Sequence, residues 1–433
     1  MHHSNRNVKD SACLRAITAW RGPHHTHIFV AMRPLFSALL IASATTSLSA
    51  QTPPRQTESD AYTRYELLTP GSAKFRIIYE VTATTPGATH YFNPIRKGSL
   101  ATDESVSDRA TGKPLAFDVV GVTEARAGGV RSNDPAQTYI RVTLSHPVPA
   151  DGGEARVLIL KTYEDSLSYF KLGDTIVFTR PLGIRRNAVV LPRGYELISS
   201  SFPAQVLQEP DGRVGISFWN ETPSEAAVTM RAVPVRATTA ATSSVEARLD
   251  ERAHQNREIV YFLRQPETSA FDLYHDYTES RPGTSTYLNV VRAGSTVADP
   301  RALNLDTGEP LTSETLKGDA ITRARLDVKD VTPQTEVVVF RFPAVVPGAS
   351  VRLRMFETYT DTVRYKLVRD ELVWDRSFGR PTNAVVLPAG WMLTNSAIPA
   401  AVSTLPDGRV RLDFINPRPD EIATLITARR RPQ

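Results

Sequence analysis

Cysteine is almost missing from this chain of 433 residues: Cys13 is the one thiol, and it lies in the N-terminal stretch. Past that stretch, disulfide staples, thiolate nucleophiles and sulfur-ligated metals are excluded. Histidine is scarce too. Five of the nine (His2, His3, His24, His25 and His27) crowd into the same stretch, and His90, His146, His254 and His275 lack metal-ligand spacing. No His-Glu-x-x-His, no Gly-x-Ser-x-Gly elbow and no phosphate-cradling glycine-rich loop occurs. The residues therefore imply no metal and no cofactor. The formal charge of +5 is mostly local, because Arg6, Lys9, Arg15, Arg21 and Arg33 against Asp10 supply +4 of it. The remainder is near neutral, which removes the main support for a nucleic-acid partner.

That N-terminal stretch has a layout of its own. Met32-Arg33-Pro34 opens a short basic start, Leu35 to Ala44 is apolar, and small residues run to Ser49-Ala50. This is the pattern of a secretory signal peptide over 32–50, and it implies a periplasmic or extracellular protein. Residues 1–31 then read as an upstream extension from a mis-assigned start; the alternative is a real extension that shifts targeting. The apolar run is too short for a membrane span of about 20 residues, and no lipidated cysteine follows it.

What is present is repetition at an offset of 196 residues. Tyr163, Asp165 and Tyr169 return as Tyr359, Asp361 and Tyr365; Asn187-Ala188-Val189-Val190-Leu191-Pro192 returns from Asn383 to Pro388; Pro210-Asp211-Gly212-Arg213-Val214 returns from Pro406 to Val410. The pattern between these marks predicts strands at Phe75–Val81 and Phe271–Tyr277, and further strands at 139–144, 155–161, 175–179, 187–191, 213–219 and 227–233. Pro-Asp-Gly supplies a turn before an alternating run. The fold class expected is all-β, two tandem antiparallel β-sandwich modules. Their bounds are 64–236 and 257–430, with a flexible stretch at 51–63 and a linker at 237–256, small and polar where it begins at Ala237-Thr238-Thr239. Val245 to His254 is the one candidate helix.

The succession His146-Pro-Val-Pro-Ala-Asp-Gly-Gly-Glu-Ala-Arg-Val-Leu-Ile-Leu-Lys-Thr-Tyr-Glu-Asp165, then Leu191 to Asn220 with its Pro-Asp-Gly turn, resembles the non-catalytic N-terminal β domain of M1-type aminopeptidases, here present twice and without the zinc-binding catalytic domain. The resemblance implies a fold and no peptidase activity.

Tyr163, Tyr169 and Asn187, with Tyr359, Tyr365 and Asn383, are the candidate ligand-binding residues; Asn220 and Asn416 recur beside them. Aromatic rings with amides suit a glycan or protein ligand in the cell envelope. The competing reading puts the rings in the core and the amides on buried backbone. Repeated Asp165/Asp361, Asp174/Asp370 and Asp211/Asp407 raise the alternative of a carbohydrate-active hydrolase, though turn positions account for most of them. The expected function is thus an exported, non-catalytic protein with a binding or structural role. Mass spectrometry of the protein secreted by its host is expected to find Gln51 at the N-terminus; a chain that keeps residues 32–50 would refute the leader.

Overall fold

The computed structural model describes residues 53–221, 224–236 and 249–432. The leader and residues 237–248 of the linker lie outside the described residues. Regular structure is nearly all strand. The helices among the described residues are short: Val122–Ala127, Asp319–Arg323 and a 3-10 turn at Pro266–Thr268.

In the first half, seven strands form one sheet in the order Gln205–Gln208, Val214–Trp219, Arg186–Val190, Glu58–Leu67, Lys74–Ala83, Ala155–Glu164, Leu100–Asp108. Neighbours are antiparallel except Glu58–Leu67, which runs parallel to Arg186–Val190 with Tyr65 opposite Val189. A four-stranded sheet lies over it, in the order Tyr195–Ser200, Ala226–Pro234, Thr175–Leu182, Tyr169–Leu172. The second half has the same two orders. Its large sheet runs Ala401–Thr404, Val410–Ile415, Thr382–Val386, Arg257–Leu263, Ala270–Glu279, Val351–Thr360, Thr296–Asn304. It then continues through Pro310–Lys317 and Glu336–Arg341 to Thr286–Val290. Its small sheet runs Trp391–Ser396, Ile422–Arg430, Glu371–Phe378, Tyr365–Val368.

Period-two alternation builds each core. Phe75, Ile77, Tyr79 and Val81 point inward from one strand and join Ile176, Phe178, Val228 and Met230 of the small sheet in a single cluster. Phe271, Leu273, Trp374, Phe378 and Ile426 do the same in the second half. Each such side chain, fully buried, contributes about 1.5–3 kcal/mol. These are sheets packed face to face, and the all-β expectation holds.

Two local readings do not. The stretch 51–63 was expected to be flexible, yet Glu58–Leu67 is an interior strand of the large sheet. Its polar opening Glu58-Ser59 hid it; pairing on both sides, and not apolar content, fixes the strand. The described part of the candidate helix, 249–254, is a turn instead, because its side chains bind outward to both halves. Glu251 accepts from Tyr62 Oη (2.8 Å) and Ser217 Oγ (2.9 Å). Arg252 donates to the carbonyls of Gly379 and Asn416.

A buried ionic contact joins the halves. Arg156 grips Asp306 in bidentate fashion at 2.6 and 2.8 Å and donates to Ser350 Oγ and O at 3.0 Å. Gly112, at φ +71°, lets the chains close in: a Cβ there would lie 2.6 Å from the Gly348 carbonyl. Removing one member of a buried pair strands the other, which costs about 3–5 kcal/mol. Asp306→Ala is therefore expected to lower the unfolding free energy by about that much in urea titrations. A loss within experimental error of zero would mean Arg156 finds solvent.

Candidate functional site

None of the sequence-derived site residues forms a surface. Tyr169 and Tyr365 are fully buried, and their hydroxyls donate to the carbonyls of Leu68 and Arg264. Tyr163 and Tyr359 face inward against Phe75 and Phe271. Asn187 and Asn383 donate to Ile184 O (2.7 Å) and Arg380 O (2.8 Å), and Asn220 and Asn416 likewise bind backbone carbonyls. The competing reading is the correct one for their placement, because they sit on the inward positions of their strands. The structure brings only Tyr359 and Asn383, of the six, to the wall of one pocket.

The repeated aspartates have structural partners. Asp361 takes Arg376 at 3.0 Å, Ser295 Oγ at 3.0 Å and the Arg364 amide at 3.0 Å. Asp165 takes Arg180, Ser99 and Ser168. Burial disfavours the Asp165 carboxylate, but the Ser168 hydroxyl and amide with Arg180 outweigh it and hold the carboxyl below its ordinary range. Asp211 and Asp407 bind Arg213 and Arg409 within their own turns.

The pocket belongs to the second half, measures about 270 Å³ and opens to solvent past Val290 and Glu421. Strand register builds it. Asn383, Ile259, His275 and Met355 are cross-strand neighbours in one row, and Val385, Tyr261, Leu273 and Glu357 in the next. His275 and Glu357 are therefore diagonal neighbours, about 7–8 Å apart at their backbones. Arg376 and Arg380 approach from the strand Glu371–Phe378 and the loop after it, and Asn289 from Thr286–Val290.

Glu357 is 4% exposed. Its Oε2 accepts from Asn289 Nδ2 at 2.6 Å, and Asn289 also donates to Tyr359 Oη at 3.2 Å. Its Oε1 has no partner within the protein. Burial pushes this carboxyl up to about 7, against the opposing pull of the Asn289 and Tyr359 hydrogen bonds. His275 is 3% exposed. Burial, reinforced by Arg380, Arg257 and Arg352, pushes it well below its ordinary value, so it is neutral. Arg380 donates to Tyr287 Oη at 3.0 Å, and Tyr287 Oη lies 3.3 Å from His275 Nδ1. His275 Nε2 has no partner, nor does Asn383 Oδ1, and Asn187 Oδ1 at the matching position of the first half has none either.

The equivalent interior of the first half is arranged differently. Lys161 stands where Glu357 stands, donates to Asn93 at 2.8 Å and lies 4.9 Å from the Tyr163 ring centre. Tyr79 replaces His275 and shares a 3.3 Å hydrogen bond with Tyr91, which in turn binds Glu58. Ile184 replaces Arg380. Sequence reading missed Glu357, Asn289 and Lys161, and noted His275 only for lacking metal-ligand spacing. The available signal was a charge of opposite sign at one inward position of both repeats: Val157, Ile159, Lys161, Tyr163 against Leu353, Met355, Glu357, Tyr359.

A carboxyl poised near 7 suits proton transfer. Glycoside hydrolysis needs a second carboxylate besides. Glu421, the other carboxylate on this wall, is tied to Ser377 and Arg292, and the Ser377 hydrogen bond leads in holding it below its ordinary value. Among the described residues no group of three His, Cys, Asp or Glu is placed to hold a metal ion, and no helix is long and apolar enough to cross a membrane.

No family model matches the chain, and no curated protein matches it. Solved structures are similar over parts of it. An aminopeptidase N family protein from Idiomarina loihiensis shares 9% identity over 40% of this chain and 29% of its own, at a TM-score of 0.25. This chain thus spans under a third of that protein's length. A candidate nutrient-binding protein from Legionella pneumophila shares 8% identity over 42% of this chain and 68% of its own, at 0.28. The collagen adhesin of S. aureus shares 10% over 75% and 87%, at 0.16. At these scores none of the three carries an argument about ligand or activity.

The Glu357 shift has a sign that can be measured. Below its ordinary value of 4.5, folded and unfolded chains both hold the proton, and nothing is lost. Between 4.5 and about 7 the unfolded chain ionises while the folded one resists, so stability falls across that window. Glu357→Gln is expected to match the parent at pH 4 and to exceed it at pH 8 by on the order of 3 kcal/mol in urea titrations. A difference that does not change with pH would contradict a buried, unmatched carboxyl.

Proposed function

We propose that this chain is an exported, non-catalytic binding protein of the cell envelope, and that it takes a small polar molecule in the pocket of its second half. One observation carries the reading. The Glu357, His275 and Asn383 side chains line a single pocket, and Glu357 Oε1, His275 Nε2 and Asn383 Oδ1 are buried without a partner within the protein, the last as its counterpart Asn187 Oδ1 is in the first half. An unsatisfied buried polar atom costs about 1–3 kcal/mol, so native interiors avoid them. Three together on one wall are a set of contacts for something else. The export part of the proposal rests on the leader at 32–50.

The first half supplies the control. Its interior holds a lysine at the matching position, bonded to the matching asparagine, so Glu357→Lys places the first half's residue in the second. Native mass spectrometry after incubation with the small-molecule fraction of the host envelope is expected to show an adduct on the parent protein and none on the variant. No adduct on the parent, or equal adducts on both, would remove the pocket from consideration.

A further inference from the structure

We infer that the ligand of the second-half pocket is a small primary amine that also carries a carboxylate, with its ammonium bound at Glu357 and its carboxylate at Arg380. This inference rests on the pocket being a ligand site, and it follows from how the two halves solve the same interior position.

In the first half an ammonium is already held at this level of the fold. Lys161 Nζ donates to Asn93 and lies over the Tyr163 ring. In the second half the asparagine and the tyrosine are kept as Asn289 and Tyr359, but the lysine is a glutamate whose outer oxygen is unmatched. Asn289 turns its amide nitrogen to the carboxylate where Asn93 turns its oxygen to the ammonium. The site has thus exchanged a built-in cation for an acceptor beside an aromatic ring. An incoming ammonium meets both requirements, and the attraction of a cation for a ring face adds to the ion pair.

The other end of the pocket is complementary. Arg380, whose charge no carboxylate pairs within 4 Å among the described residues, lines it and donates to Tyr287. Arg376 is engaged by Asp361 and Arg292 by Glu421, so Arg380 is the cation available to a ligand anion. A volume of about 270 Å³ falls below the roughly 300–1,000 Å³ of drug-sized sites. That suits a molecule of amino-acid size.

Protonation gives the test its second axis. The charged and titratable groups on the wall beside Glu357 are Tyr261, His275, Arg292, Tyr359, Arg376, Arg380 and Glu421, and Tyr287 reaches His275 and Arg380. Burial lifts the Glu357 carboxyl to about 7 and holds His275 neutral, so Glu357 changes its charge between pH 6 and 8. Ammonium binding requires its ionised form, and affinity is therefore expected to be about tenfold weaker at pH 6 than at pH 8.

Isothermal titration of residues 51–433 with glycine, β-alanine, ethanolamine, propionate and glucose distinguishes the outcomes. The expected result is binding of glycine or β-alanine well above the other three, weakened at low pH. Glu357→Gln is expected to bind more weakly and without the pH dependence, and Glu357→Lys to bind none. Should Glu357→Lys fail to fold, Glu357→Gln alone decides. Propionate or glucose binding that Glu357→Lys abolishes would overturn the amine and leave the pocket; binding by none of the five would overturn the amine, and the mass-spectrometric adduct would then decide the pocket.

Discussion

Each half depends on a guanidinium buried between its sheets. Arg376 rises from the small sheet, lies 5.0 Å from the Phe271 ring centre and 5.4 Å from that of Trp374, and reaches Asp361 beyond the end of a large-sheet strand. Arg180 repeats the arrangement over Phe75 and Tyr163, paired to Asp165. Taking a charge out of water costs several kcal/mol per ion, and only good geometry with further hydrogen bonds offsets it. Burial accordingly pulls both arginines below their ordinary value. This explains what recurs in the sequence. The aspartates anchor the charge, the serines and amides hold the aspartates, and the tyrosines and phenylalanines wall the charge with ring faces.

Much of the fold was legible because it is written in local chemistry. Pro-Asp-Gly fixes a turn, and Val214, Ile216 and Phe218 after it fix a strand whose inward face is apolar; the structure has both. The interior opening strand was not legible, since Glu58-Ser59 says nothing about the partners on either side. Nor was the direction of the tyrosines. Alternation tells which residues share a face of a strand, but Tyr163 and Tyr359 are amphipathic enough to suit either face. Only the packing of Phe75 and Phe271 against them decides it.

The site was less legible still. Its residues come from strands far apart in sequence, and His275, Asn289, Glu357 and Arg380 meet only through cross-strand register and the reach of a loop. Sequence comparison between the halves also worked against finding them, because matching residues were sought as the sign of importance. Here the retained residues, Arg180 and Arg376 above all, serve the scaffold. The pocket is made by the differences: Tyr79 against His275, Ile184 against Arg380, Lys161 against Glu357.

Lys161 and Glu357 occupy equivalent points of a matching frame with opposite charge, and each is hydrogen-bonded to the same asparagine position. The codons for lysine and glutamate differ only in their first base. A single transition at that base therefore reverses the sign of the charge at that point of the frame.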